Sequence, residues 1–388
     1  MQLGFDLTFQ QLLTRDGLHH LDARFVAFLK ARHAPSYRAL LDFRLDTRAY
    51  DDQAYDALIM LLVPEISAFI AELFMVSVDS SHDGHVLDEQ ILSFRAIYLE
   101  SRPQDKTDLS SETRQTLTLW LEERLATKCA QMTQQQLVAF GLALDAQDDQ
   151  IAMDKLRRWC RGVKYQSENA MIIQWPVFWQ PKKNGDLRVD VIPNALQTRY
   201  QSASHDMTAR DDFSLIPSYW DADRVMLHTD YCRFCHDRSV DYCRTGFYQK
   251  KGDPSQGFRK DESGTLLSGC PLDEKISQMH WFKRKHQHLS ALVTVMIDNP
   301  FCAITGHRIC NDCMQSCIFQ KQDPVDTPQV ESRVVMDVLS MRWGVEIYDL
   351  LMKWHPLRRE ESSPAQLNHR HVLVMGLGPS GFSMLHHL

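Results

Sequence analysis

Eight of the ten cysteines in this 388-residue chain fall between Cys232 and Cys317. They stand in three runs: Y-C-R-F-C-H-D-R-S-V-D-Y-C, then G-C-P-L-D-E-K, then F-C-A-I-T-G-H-R-I-C-N-D-C-M-Q-S-C. A disulfide framework does not suit a chain long enough to bury a core without staples, with only Cys129 and Cys160 outside the cluster. Metal does. Cys232, Cys235, Cys310 and Cys313 form two distant C-x2-C pairs that could close a tetrahedral zinc site, leaving four cysteines idle. Two [4Fe-4S] clusters would engage up to eight ligands, and Cys310, Cys313 and Cys317 carry the x2 then x3 spacing that ends a ferredoxin motif. Unmetallated thiols are the third reading.

A second motif closes the chain. The apolar run at 371–375 leads into Gly376-x-Gly378-x-x-Gly381, with Pro379 and Ser380 between the last two glycines. After a strand, such glycines permit a tight turn, close approach to a pyrophosphate and packing of the following helix, whose N-terminus faces the phosphates. The acidic residue expected about 20 positions further on, which would hold a ribose, would lie beyond Leu388. The chain therefore reads as the front end of a longer enzyme.

Together these motifs resemble a known family. G-C-P-L-D-E-K-I, T-G-H-R-I-C-N-D-C-M-Q-S-C and V-D-T-P-Q-V-E are similar to the amino-terminal iron–sulfur domain of the small subunit of NADPH-dependent glutamate synthase, shared with dihydropyrimidine dehydrogenase and related flavoproteins. In that family the cysteine domain precedes an FAD-binding dinucleotide fold, as H-V-L-V-M-G-L-G-P-S-G does here. The resemblance covers about 40% of the chain, residues 228–388. It implies two [4Fe-4S] clusters, FAD and NAD(P)H in the complete protein, and single-electron transfer to the remaining flavin domains or a partner subunit. Residue by residue, it gives one cluster Cys232, Cys235, Cys243 and Cys317, and the other Cys270, Cys310 and Cys313 with Glu331 of V-D-T-P-Q-V-E as the fourth ligand. Cys302 competes with Glu331, thiolate being the better iron ligand. The gap from Cys243 to Cys270 is longer than the family's, so the intervening residues read as an insertion. The rival function is a zinc-stabilised interaction module without redox activity.

The elements that must position these groups follow from periodicity. The expected class is mainly α: a helical N-terminal domain with a β-hairpin, an α-helical two-cluster domain, and the first βα turn of a Rossmann-like fold. Residues 1–196 are read as one helical domain of illegible function, with apolar residues at helical spacing (Phe9, Leu12, Leu13; Leu18, Leu21, Phe25, Phe28, Leu29). Ser110 and the Thr133–Gln136 pair signal helix starts. Within it, alternation of Ile173, Trp175, Val177 and Trp179, then Asn184-Gly185, then Leu187, Val189 and Val191 predicts a hairpin over 171–192. Residues 197–227 read as a polar linker, 228–345 as the cysteine domain with helices over 276–285 and 289–297, 346–370 as a connector, and 371–388 as the dinucleotide turn. Lys283, Arg284 and Lys285 suggest an exposed basic stripe.

Composition narrows the class. A net charge of −7 with both signs interspersed offers no concentrated basic face for nucleic acid. The apolar stretch 57–76 is interrupted by Pro64-Glu65 and Glu72 and reads as a buried helix, not a membrane span. The expected compartment is the reducing cytoplasm, which also keeps thiolate ligands available.

Overall fold

A computed structural model describes residues 2–77, 84–99, 110–163, 172, 175–178, 191–193, 200–202, 218–238, 240–250, 253–261, 264–359 and 369–388. The fold is mainly α. Its described residues divide into two compact units, one comprising Met1–Ser80 with Lys182–Leu388, the other Ser81–Pro181. The boundary expected at residue 196 does not coincide with this division.

In the first unit, α1 (Arg15–Arg32), α2 (Ala34–Leu45) and α3 (Asp52–Phe74) follow short 3-10 turns. Asp51 caps α3 by accepting the Ala54 N–H at 2.8 Å. The helix is long and apolar enough to cross a membrane by composition, and Leu62, Val63, Ile66, Phe69 and Ile70 are buried in a core that also holds Leu292, Met296, Val334 and Leu351. This joins residues 1–80 to the cysteine region. Trp354 makes the join specific: its ring meets Phe25 edge-on at 5.5 Å, and its Nε1–H donates to Asp22 at 3.0 Å. Helical periodicity shows that one face is apolar; it does not say which partner covers it.

The second unit packs α4 (Gly84–Tyr98), α5 (Ser111–Leu125), α6 (Gln134–Ala146) and α7 (Gln150–Gly162) around Phe94, Leu121, Leu137, Leu156 and Trp159. Ser110 caps α5, and Thr133 with Gln136 forms the capping box of α6. Cys129 and Cys160 are buried among these apolar side chains, as small hydrophobes. The first arm of the expected hairpin is not a strand where it is described: Pro176–Phe178 is a 3-10 turn, with Val177 and Phe178 buried. The Val177 N–H is claimed by Gln134 Oε1 at 2.9 Å, a long-range contact that alternation cannot reveal. Ile173, Trp179, Asn184-Gly185, Leu187 and Val189 lie outside the described residues. The antiparallel pair that forms is β1 (Val191–Pro193) with β2 (Tyr200–Ser202), in the first unit.

The expected linker also carries structure. Asp221 caps α8 (Ala222–Tyr231), whose Val225, His228 and Tyr231 are buried. Next come α9 (Tyr242–Thr245) and the antiparallel pair β3 (Tyr248–Lys250) and β4 (Asp253–Phe258). Then follow α10 (Ile276–Arg284), α11 (His288–Asp298), α12 (Cys302–Ile309), α13 (Asp312–Gln315), α14 (Thr327–Leu339) and α15 (Gly344–Lys353). The connector expected from 346 is helical to Lys353, and beyond it His355 and Leu357 are buried. The basic stripe is corrected as well: Lys283 is 1% exposed and ion-paired with Asp337, which also holds Arg333 and His288. A run of three basic residues looks solvated in sequence, but α10 turns Lys283 inward to a carboxylate on α14.

Candidate metal centre

The insertion between Cys243 and Cys270 is a β-hairpin with a closed neck. Tyr248 stacks on Phe258 at 5.1 Å, and the chain returns so that the Cys270 N–H donates to the carbonyls of Cys243 (2.9 Å) and Arg244 (3.1 Å). The neck needs two glycines. Gly246 and Gly269 have φ of +76° and +78°, and a Cβ on Gly269 would fall 2.4 Å from the Arg244 carbonyl oxygen. Cys243 and Cys270 are thus neighbours in space.

The cysteines sort into two buried groups. In the first, Cys232, Cys235, Cys243 and Cys317 lie close enough to perturb one another: Cys317 raises the thiol pKa of each of the other three, and Cys243 and Cys317 share a hydrogen bond. That bond holds the Cys317 thiol below its usual range, while burial pushes Cys235 up to about 12. Backbone N–H groups converge on the sulfurs, from Phe234 to Cys232, Tyr242 to Cys235, and Phe319 and Val325 to Cys317. The Phe319 contact is 3.5 Å.

The second group is built around Glu331, at 7% exposure on α14. Cys270, Cys302, Cys310 and Cys313 all feel its charge. Burial lifts the Glu331 carboxyl well above the usual carboxylate range. Glu331 is hydrogen-bonded to Glu274, which burial raises to about 7 and which accepts from Asn299 Nδ2 at 3.0 Å. Cys302 is 1% exposed and is perturbed by Glu331 and Glu274. Cys310 is the exposed member.

The residues proposed for zinc are not brought together as a set: Cys232 and Cys235 belong to the first group, Cys310 and Cys313 to the second. Among the described residues, no three Cys, His, Asp or Glu side chains converge around a single metal ion. One zinc would draw its thiolates to about 3.8 Å from each other, given a Zn–S bond near 2.3 Å. A four-iron cube carries its ligands on separate corners, farther apart than the hydrogen-bonded Cys243 and Cys317 stand. In donor chemistry, buried cysteines served by backbone N–H groups could hold either, because a bound cation offsets the buried thiolate charge and the N–H groups stabilise anionic sulfur.

At the carboxyl end, Gly378 opens α16 (Pro379–His387). The strand expected over 371–375 does not form: residues 371–377 have no regular secondary structure and no pairing partner among the described residues, and Leu373, Met375 and Leu377 are exposed. Open space lies beside Gly376 and Gly378, while a Cβ on Gly381 would meet the Gly376 carbonyl oxygen at 2.1 Å, so of the three it is Gly381 whose missing side chain lets the backbone close up. His386 of α16 meets Phe301 edge-on at 5.1 Å, one residue before Cys302.

Sequence reasoning did not single out Glu274, His280 or Asp241. Glu274 stands four residues after Cys270 in C-P-L-D-E, and that acidic position was the available signal. His280 Nδ1 lies 3.3 Å from Cys232 Sγ, and the Asp241 carboxylate is buried without a hydrogen-bond partner. Asp241 already stands two residues before Cys243 in the chain, whereas only the fold places His280 beside a cysteine.

The chain is similar to proteins of Rickettsia prowazekii (strain Madrid E). A family model described as the RP005 N-terminal alpha-helical domain matches residues 3–75, which span α1 to α3. Uncharacterized protein RP005 is 25% identical over 312 residues, covering 73% of this chain and 98% of that protein. Uncharacterized protein RP006 is 49% identical over 86 residues, 22% of this chain, which spans only 12% of the length of RP006. No solved structure matches.

Proposed function

We propose that this chain is the electron-transferring part of an iron–sulfur flavoprotein oxidoreductase similar to the glutamate synthase small subunit and dihydropyrimidine dehydrogenase. The observation that carries the reading is the crossing of the two residue groups along the chain: Cys317, last in sequence, joins Cys232, Cys235 and Cys243, while Cys270 joins Cys310 and Cys313, with Glu331 and Cys302 both beside them for a fourth place. Two interleaved groups, each able to supply four ligands, suit two [4Fe-4S] clusters.

When bound, the clusters would pass single electrons between a flavin supplied by NAD(P)H and an acceptor site. The chain's own residues supply thiolate and carboxylate ligands, exclude water by burial, and aim backbone N–H groups at sulfur. Gly376, Gly378, Pro379, Ser380 and Gly381 would hold the FAD pyrophosphate at the N-terminus of α16. The electron acceptor would be a flavin domain or a partner subunit. The proposed setting is the cytoplasm, without nucleic-acid or membrane partners. Anaerobic reconstitution tests the reading: about eight iron atoms per chain and an absorption band near 400 nm that dithionite bleaches are expected. A colourless protein that retains zinc would favour the interaction module instead.

A further inference from the structure

Helix α10 lays two side chains on the loop that carries the first two cysteines. Ser277 Oγ accepts the His236 N–H at 3.2 Å and lies 2.7 Å from His236 Nδ1, which fixes the residue after Cys235. His280, three residues further on the same face, brings Nδ1 to 3.3 Å from Cys232 Sγ. Its ring is 1% exposed, and Nε2 has no hydrogen-bond partner. The sulfur contact is therefore the polar interaction that orients this buried imidazole. A thiolate ligand has no proton to give, so the tautomer that makes the contact attractive carries its hydrogen on Nδ1.

Resting on the iron–sulfur reading above, we propose that His280 is a positioning residue that donates Nδ1–H to Cys232 and thereby raises the reduction potential of the first cluster relative to the second. A hydrogen bond to a ligating sulfur withdraws negative charge and stabilises the reduced cluster, which carries one more electron, over the oxidised one. The contact is confined to Cys232 of the first group, so the second cluster would not share it. The imidazole neither ligates iron nor transfers a proton, and the N–H bond stays intact.

The test is an EPR-monitored potentiometric titration of the full chain after anaerobic reconstitution. The oxygen-ligated second cluster should be distinguishable by its spectrum. His280→Phe should lower the first midpoint by at least tenfold in the reduction equilibrium, 59 mV for a one-electron couple, and leave the second unchanged. His280→Gln, which restores an N–H donor, should recover part of the shift. An unchanged first midpoint in His280→Phe, or an equal shift of both clusters, overturns the proposal. If His280→Phe fails to load, wild-type protein labelled with 15N-histidine decides: one histidine nitrogen coupled to the reduced first cluster is expected, and no coupling overturns it. Iron uptake by the wild type separates the two readings, since a protein with both clusters and no histidine effect defeats only the role of His280, whereas one without iron defeats the cluster reading itself.

Discussion

Arg244, the residue after Cys243, reaches out of the cysteine region to Asp56 of α3, with 3.0 Å between Nη1 and Oδ1. Its other nitrogens engage Asp52, also on α3, and Asp273, three residues after Cys270. The guanidinium is 2% exposed, and the surrounding carboxylates keep it charged. One side chain thus joins the N-terminal helices to the backbone on which both cysteine groups depend. Removing one partner of a buried ion pair strands the other, so we expect Arg244→Ala to destabilise the protein by about 3–5 kcal/mol. Urea denaturation checks this, and Asp52→Asn, at the more exposed carboxylate, should cost much less.

Residues 1–77 should not fold alone. The buried face of α3 packs in the core shared with Leu292 and Met296 of α11, and separation would leave it in water. Residues 84–178, whose core is their own, should melt cooperatively. Far-ultraviolet circular dichroism of each segment during a thermal melt separates the cases; a cooperative melt of residues 1–77 would count against the shared core.

The fourth ligand of the second cluster should be Glu331. It perturbs Cys270, Cys310 and Cys313 alike, whereas the partners of Cys302 are Glu331 and Glu274. Glu331→Ala should reduce reconstituted iron from about eight to about four atoms per chain, and Cys302→Ala should leave it near eight, as two four-iron clusters require. The reverse pattern would give the position to Cys302.

Acid should weaken the fold through His355. Burial lowers its pKa from 6.5 to about 3, and its ring bridges the Val293 carbonyl at 2.8 Å and the Leu357 N–H at 3.3 Å as the neutral tautomer. The unfolded chain binds a proton near pH 6.5 that the folded chain refuses, so this stability is complete above pH 6.5 and lost as pH falls toward 3. The full loss is on the order of 3–5 kcal/mol. His355→Gln should flatten the fall in urea midpoint between pH 7 and pH 4; an equal slope in both proteins would exclude His355 as the source.

Much of the candidate site was legible because its chemistry is local. Cys232, Cys235, Cys310, Cys313 and Cys317 announce themselves by spacing, and the glycines at 376, 378 and 381 by their place before a helix. Caps were legible for the same reason: Thr133 and Gln136 are three residues apart and satisfy each other's backbone. What escaped depends on distant partners. Lys283 is buried because Asp337, 54 residues away, receives it. Val177 gives its N–H to Gln134 and joins a 3-10 turn, and α3 finds its cover on α11. The pattern of a segment records how much of it is buried, and the identity of the cover is a property of the whole chain.

The neck at Gly246 and Gly269 separates chain length from ligand geometry. Because the Cys270 N–H is tied to the Cys243 and Arg244 carbonyls, the closure entropy of the intervening loop is offset where its ends meet. Lengthening such a loop costs little, about 0.6 kcal/mol per doubling. The hairpin can therefore vary in length or carry an added peptide without disturbing either cysteine group. The same freedom explains why spacing counted along the chain misleads at this point: between Cys243 and Cys270, the distance in space is set across the neck.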